Sequence, residues 1–536
     1  MDKSISRRRF LEIVGGSSAV VVLAACGATP EATKAPQPTA VPTIAVVPTD
    51  TPVPAVPKVL KIRLYGDIQN MDPAFRISQN DDTVANCVNE GLVRYGANSY
   101  DVVNQLAEKI EQSQDGLTVT FKLKEGVKWH KGYGEVTTED VKFSYERIAD
   151  PALKAAYADD WATLDHVEVI DKYNGKIILK EPFAPLWTTT LPVASGSILC
   201  KKYVEEIGLE KLATSPLGSG PYTFETWEPK QRIVLKANSE WHGGTPTWDE
   251  IQFLPIEDDK TAEIAIQAGE LDFTRISLAS LDLFGADPKL KLLKLPALRY
   301  RWIGMNVENP KLKDINVRQA IRYGIDVDSI VAAAYLGKAD RENGLIAPGM
   351  LGNWKDAPVY KRDVAKAKEY MAKAGLTSLD LKIDLQDTTE YRAWAEVAQQ
   401  NLAEIGINLT INPMDSASFW TIGAKEGADK LELFCNNYSM NPDPSWATMW
   451  FTCAQIDVWN WERWCSPEYD ALHKKALVTV DAAERAKMYI QMQQIWDEAC
   501  KAVFITHGLS TYVYQPTIKP ATTPHGIPQA ELFLPA

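Results

Sequence analysis

The sequence predicts an α/β protein built in more than one lobe. Three observations carry this. Its 536 residues exceed what one domain usually holds. Leu379, Leu381, Ile383 and Leu385 alternate as in a strand, Tyr391 to Ile405 runs at helical spacing to Gly406, and Ile407, Leu409 and Ile411 alternate again. A strand, helix, strand succession at this spacing is a crossover unit with parallel strands. The composition, 45% hydrophobic and 24% charged, is that of an ordinary globular protein. A formal charge of −13 argues against nucleic acid or an anionic membrane surface as partner.

Residues 1–26 form an address. Arg7-Arg8-Arg9 gives a twin-arginine start, and Ile13 to Ala25 is apolar but too short to span a bilayer. The stretch ends in Leu23-Ala24-Ala25-Cys26, which resembles a bacterial lipobox. That resemblance implies a lipidated Cys26 at the mature N-terminus and export by the twin-arginine route. Cleavage would remove four basic and two acidic residues and take the charge from −13 to −15. Residues 27–58 hold eight prolines among Thr, Ala and Val, which favours extended polyproline geometry and reads as a semi-rigid tether. No later stretch has the apolar length of a membrane span.

The folded part opens at Val59, with Leu60, Ile62 and Leu64 alternating as in a strand. After the Asp115-Gly116 turn signal, Leu117, Val119, Phe121 and Leu123 share one face. Thr137-Thr138-Glu139-Asp140 opens a helix on a capping-box pattern, with Val141, Tyr145 and Ile148 along one side. Further on, Val364, Ala367, Tyr370, Met371 and Ala374 keep helical spacing up to Gly375.

The stretch richest in chemistry runs from Phe434 to Cys465 and holds five of the 16 tryptophans, Trp446, Trp450, Trp459, Trp461 and Trp464. Pro442 and Pro444 break any long helix there, so it reads as a strand end near Leu433-Phe434 followed by an irregular loop. Rings and amides together suit the wall of a small-molecule cleft, and strand ends of α/β sheets are where ligands sit. A buried aromatic mini-core stapled by Cys453 and Cys465 is the alternative. Catalytic motifs are missing from the pattern. The six histidines are scattered, no metal-ligand spacing or nucleophile motif occurs, and Gly218-Ser219-Gly220 runs into Pro221 where a dinucleotide loop would open a helix. An extracytoplasmic hydrolase is the alternative of another class.

Several blocks together resemble one family. The run LAEKIEQSQDGLTVTFKLKEGVKWHKG with TTEDVKFSYERI, then Gly218 to Tyr222, Trp241-His242-Gly243-Gly244, the run AEIAIQAGELDF from Ala262 to Phe273, and RWIGMNVENPKLKDINVRQAIRYGIDVDSIVAAAYLG from Arg301 to Gly337 are similar to extracytoplasmic solute-binding proteins of the dipeptide and oligopeptide class (family 5), which serve ABC importers. The resemblance implies a two-lobe periplasmic-binding-protein-like fold of the large class with an extra subdomain in lobe I. Lobe I would be 59–298 plus 504–536 and lobe II 299–503. It also implies a monomer without cofactor or metal that closes on a small-molecule ligand, a peptide or an oligosaccharide, and delivers it to a membrane permease.

The site it implies lies in the Trp-rich stretch: Asn436, Asn437, Tyr438, Met440, Asp443, Trp446, Trp459 and Trp461. Six cysteines remain after Cys26, and an even count in an exported chain allows 15 connectivities for three bridges. The family resemblance implies Cys453–Cys465 and leaves Cys87, Cys200, Cys435 and Cys500 as buried apolar residues. Peptide-binding members carry an aspartate in a W.GD..DP pattern whose carboxylate pairs with the ligand's α-ammonium. Anchored on Asp443-Pro444, that place falls to Met440, which cannot pair with a buried ammonium. Either Asp443 or another acid substitutes, or the ligand has no amine to hold. In the second case a polyhydroxylated sugar stacked on rings and hydrogen-bonded by Asn436 and Asn437 is open beside a peptide.

Overall fold

Two mixed sheets carry the architecture of the computed structural model, which describes residues 58–536 apart from 77 and 424–426. The seven-stranded sheet has Val59–Leu64 at its centre, parallel to Glu250–Pro255 on one side and to Phe273–Arg275 on the other. The hairpin Tyr222–Glu228 with Arg232–Ala237 extends one edge, and Leu509–Tyr514 and Lys291–Pro296 extend the other. Leu60, Ile62, Leu64 and Phe253 are fully or almost fully buried in its core. The five-stranded sheet runs Ile407–Met414, Leu379–Gln386, Leu433–Ser439, Arg299–Met305, Ala502–Thr506.

The crossover read from the sequence is present. Leu379–Gln386 and Ile407–Met414 pair in parallel over eight residues each, and the helix Thr389–Ala403 joins them. That helix starts two residues before Tyr391 because Thr388 caps it, its hydroxyl accepting from the Tyr391 N–H at 3.2 Å. Its Trp394 is fully buried against the sheet. A ring of roughly 200 Å² at ~25 cal/mol per Å² is worth about 5 kcal/mol before entropy is counted. Gly406 ends the unit at φ 86°, where a Cβ would meet the Thr377 carbonyl oxygen at 2.4 Å.

A third sheet, of four antiparallel strands between Ala107 and Leu179, forms a separate layer. Val119, Phe121 and Leu123 are buried on one of its faces as their alternation requires. The helix Thr138–Ala149 packs there, opened by Asp140 accepting from the Thr137 N–H at 2.9 Å.

The chain passes between the two large sheets twice, once between Pro296 and Arg299 and once between Thr506 and Leu509. The second crossing falls a few residues after the 503/504 boundary read from the sequence, since Ala502–Thr506 pairs wholly within the five-stranded sheet. One expectation is corrected here: the strand before the Trp-rich loop does not end at Phe434. It continues to Ser439 in unbroken antiparallel register with Arg299–Met305, Ser439 opposite Arg299. The partner strand supplies hydrogen bonds to these residues, and that outweighs the turn preference of two adjacent asparagines. The twin-arginine signal, Cys26 and the tether lie outside the described residues.

Candidate functional site

Where the chain crosses from sheet to sheet, a cavity of about 200 Å³ opens between them. Its walls include Arg275 from the seven-stranded sheet, Arg299 and Arg301 from the five-stranded sheet, and Met440, Ser510 and His525. Arg275 ends its strand and Arg299 begins its own, so each side chain leaves the sheet at the crossing. Arg299 and Arg301 are two apart and share a strand face, while Tyr300 and Trp302 between and beyond them turn into the opposite core and are fully buried.

The three cations are not equivalent. Arg301 is neutralised by Glu390, 3.0 Å from its Nε, and donates to the His507 carbonyl oxygen at 2.6 Å. Arg299 donates only a long hydrogen bond, 3.4 Å, to the Ser439 hydroxyl. Arg275 lies over the Tyr65 ring, 5.6 Å from its centroid. Among the described residues no carboxylate comes within ion-pair distance of Arg275 or Arg299. Desolvation by the cleft walls, then the charges of Arg301 and Arg275, hold the Arg299 guanidinium below its usual value. His525 adds no charge near neutrality: burial pushes its pKa down to about 4, and its ring meets the Tyr100 hydroxyl at 2.8 Å and the Pro348 carbonyl oxygen at 3.2 Å.

Of the eight residues the sequence offered as ligand contacts, only Met440 lines this cavity. It is buried, and its N–H donates to the Leu298 carbonyl oxygen at 2.9 Å. Asp443 is fully buried under a two-pronged ion pair with Arg485, 3.1 Å at each oxygen. It also accepts from the Thr188 hydroxyl at 2.6 Å and the Ser445 N–H at 2.9 Å. Burial alone would raise its pKa, but Arg485 and these hydrogen bonds prevail and hold the carboxyl below the usual range. Asp443 therefore anchors the loop and has no free lone pair to offer an ammonium.

Asn436 is fully buried within the sheet, Asn437 donates to the Tyr391 hydroxyl, and the Tyr438 hydroxyl donates to the Trp459 carbonyl oxygen. Trp461 is buried against Phe419, Trp420 and Phe434. Trp446 stands edge-on to Trp450, which meets Trp459, the one tryptophan among the described residues that is substantially exposed, at 37%. Cys453 and Cys465 are joined by a disulfide, with the other four described cysteines free and buried. Most of the Trp-rich stretch is thus an aromatic mini-core beside the cleft.

A second cavity of about 140 Å³ adjoins the first at Ile527 and at the loop after Ser439. Its walls include Asn89, Arg94, Asp160, Asn441 and Glu531, and burial pushes the Asp160 and Glu531 carboxyls up to about 7. Among the described residues no group of three or more His, Cys, Asp or Glu is gathered as a metal ion needs, and no helix is long and apolar enough to cross a membrane. The cleft arginines were missed from the sequence. The signal was there in Arg299-Tyr300-Arg301-Trp302, where charges alternate with aromatics in a strand whose remaining residues are apolar.

Two sheets joined by a double crossing, with a small-molecule cavity at the junction, define a two-lobe solute-binding fold. The chain belongs to the bacterial extracellular solute-binding proteins, family 5, whose middle-region model matches residues 101–457. It is 28% identical over 456 residues to the dipeptide-binding protein of Escherichia coli K12, covering 80% of this chain and 84% of that one. It is also 28% identical over 450 residues to the glutathione-binding protein GsiB of Pectobacterium atrosepticum, at 80% and 85% coverage. Among solved structures it resembles HbpA2 of Haemophilus parasuis, with TM-score 0.81, 25% identity, and 89% of this chain and 100% of that one covered. The fold is shared with DppA of Helicobacter pylori in complex with the peptide STSA, with TM-score 0.73, 23% identity, and 89% and 98% covered. The two curated relatives and DppA are named as binding proteins. The chain is a solute-binding protein of the class that works with ABC importers.

Proposed function

We propose that this protein is a lipid-anchored receptor that captures a short peptide in the cleft between its sheets and presents it to the permease of an ABC importer. In this reading the lobes are 59–298 with the C-terminal segment after the second crossing, and 299–506, and the protein works as a monomer held at the membrane through Cys26 and the tether. The observation that carries it is the cavity at the double crossing, walled by groups from both sheets, because a ligand there touches both lobes and favours their closure. Curated relatives named for a dipeptide and for glutathione support a peptide-like solute. The sugar reading rested on stacking rings, and none of the tryptophans of the 446–464 cluster lines the cavity.

Small-angle scattering with native mass spectrometry tests the proposal. Protein purified without refolding is compared with and without a saturating short-peptide pool. The radius of gyration should fall and a peptide should be retained. Profiles that superimpose under peptide, with closure under a β-linked oligosaccharide series, would replace the peptide by a sugar.

A further inference from the structure

We infer that the turn Leu186–Thr190 is a latch, which fastens the four-stranded layer to the Asp443 loop of the other lobe and favours the closed form through contacts outside both cavities. This rests on the two-lobe reading above. The segment is a single π-helical turn, the Leu191 N–H donating to the Leu186 carbonyl oxygen at 2.9 Å, and such turns are rare and gather at functional positions. Two further bonds fix it in its own lobe. Trp187 Nε1 donates to Gln112 Oε1 at 2.9 Å, and the Tyr95 hydroxyl donates to the Thr188 carbonyl oxygen. The Thr188 hydroxyl is thereby aimed at Asp443, to which it donates at 2.6 Å.

The layer itself travels with the seven-stranded sheet. The His130 N–H donates to the Gly218 carbonyl oxygen at 2.9 Å, the Ala156 N–H to that of Ala74 at 2.8 Å, and Arg147 pairs with Asp72. Its contacts with the five-stranded lobe follow one strip. Beside Thr188, the Ala184 N–H donates to the Leu477 carbonyl oxygen at 2.7 Å. Leu477 is the penultimate residue of the helix Pro467–Val478, so its carbonyl has no partner within that helix and finds one across the lobes. Val480 completes the strip: a Cβ at Gly116 would stand 3.2 Å from the Val480 Cγ2, so the methyl rests where the glycine leaves room. Asp443 is held by Arg485 from within its own lobe, so the acceptor is oriented before the lobes meet. None of Ala184, Thr188, Asp443, Leu477 and Val480 lines either cavity. These contacts exist only while the lobes are together, and the affinity of any ligand that needs closure scales with the closed fraction.

Three variants test the latch in the full-length protein. Thr188→Val removes the hydroxyl and keeps the shape, Thr188→Ser keeps the hydroxyl, and Val480→Lys sets a charge against Gly116 at a position already 47% exposed. Each is followed by small-angle scattering, by amide exchange at Ala184 and by calorimetric titration with a tripeptide pool. Without peptide, Thr188→Val and Val480→Lys should show a larger radius of gyration and faster exchange at Ala184 than wild type, and a saturating pool should remove the difference. Their affinity for the pool should be about five- to tenfold weaker, as expected for one lost hydrogen bond to a charged acceptor, with Thr188→Ser within about twofold of wild type.

Exchange and affinity within about twofold of wild type in both Thr188→Val and Val480→Lys overturn the latch, while a fall in the wild-type radius of gyration under the pool leaves the cleft reading intact. Unchanged variants together with no such fall overturn the latch and closure alike. A pool that fails to bind, beside faster Ala184 exchange and a larger radius of gyration in the two variants, supports the latch and removes the peptide alone.

Discussion

Replacing Asp443 by asparagine separates a loop anchor from a ligand contact. The carboxylate and its Arg485 partner are almost wholly shielded, with side-chain exposures of 0% and 4%. Removing the carboxylate charge leaves the Arg485 charge buried without a counter-charge, with the Ala476 carbonyl oxygen and the Tyr489 hydroxyl as its contacts outside residue 443. Breaking a buried pair from one side costs about 3–5 kcal/mol. The amide oxygen of asparagine can still accept from Thr188, so that bond, worth about 1 kcal/mol, is largely kept. Denaturant unfolding followed by tryptophan fluorescence should show the loss, with ligand affinity changed by less than about tenfold. The double change Asp443→Leu with Arg485→Met should recover most of the stability, because a well-packed apolar pair avoids the desolvation of both charges. The wild-type pair also sets a pH limb. A carboxyl held below its unfolded value stabilises the fold above that value, and the contribution is lost as pH falls through the folded pKa. Unchanged stability in Asp443→Asn together with abolished binding would refute the anchor and return Asp443 to the ligand.

Reducing Cys453–Cys465, which closes a sequence separation of 12, should cost on the order of 3 kcal/mol by chain entropy and loosen the Trp-rich loop before the sheets, visible as local amide exchange; simultaneous loss of all structure would contradict it. His473 is buried against the Thr448 hydroxyl and its pKa is pushed down to about 4, so the unfolded chain takes up a proton near pH 6.5 that the folded one refuses. Its contribution, ~3 kcal/mol at full extent, is present above 6.5 and lost as pH falls toward 4, and His473→Asn should flatten that part of the stability profile. Asp160, Glu462 and Glu531, each near 7, act with the opposite sign, favouring the fold as pH drops, so the variant is compared with wild type at each pH. Cys26→Ala should move the protein from the membrane to the soluble fraction, and a variant that still sediments with membranes removes the lipid anchor.

Local periodicity carried the fold far. The alternation of Leu379 to Leu385, the capping box at Thr137 and the glycine stop at 406 each act within a few residues, so they can be read along the chain. The course of Leu433–Ser439 could not, because Asn436 and Asn437 stay extended only through their partners Trp302 and Arg301, more than a hundred residues away. Tryptophan density was likewise legible as a cluster. Whether a ring faces a ligand or another ring is decided by the third dimension, and Trp461 sits between Phe434 and Phe419.

The cleft arginines show the same limit from the other side. Arg275 and Arg299 stand 24 residues apart on strands of different sheets, and nothing local marks them as neighbours. They meet because the chain leaves one sheet at Pro296 and enters the other at Arg299, which puts both strand ends at one junction. The loop beyond Ser439 completes the arrangement: its one carboxylate, Asp443, is directed back to Arg485 and Thr188, and Met440 faces the cavity in its stead. Had an acid occupied position 440, it would stand in the same small cavity as Arg299 and compete with a ligand carboxylate for it. Met440→Asp should therefore weaken binding of carboxylate-bearing probes and strengthen binding of amine-bearing ones, and an increase in carboxylate affinity in that variant would contradict the charge logic of the cleft.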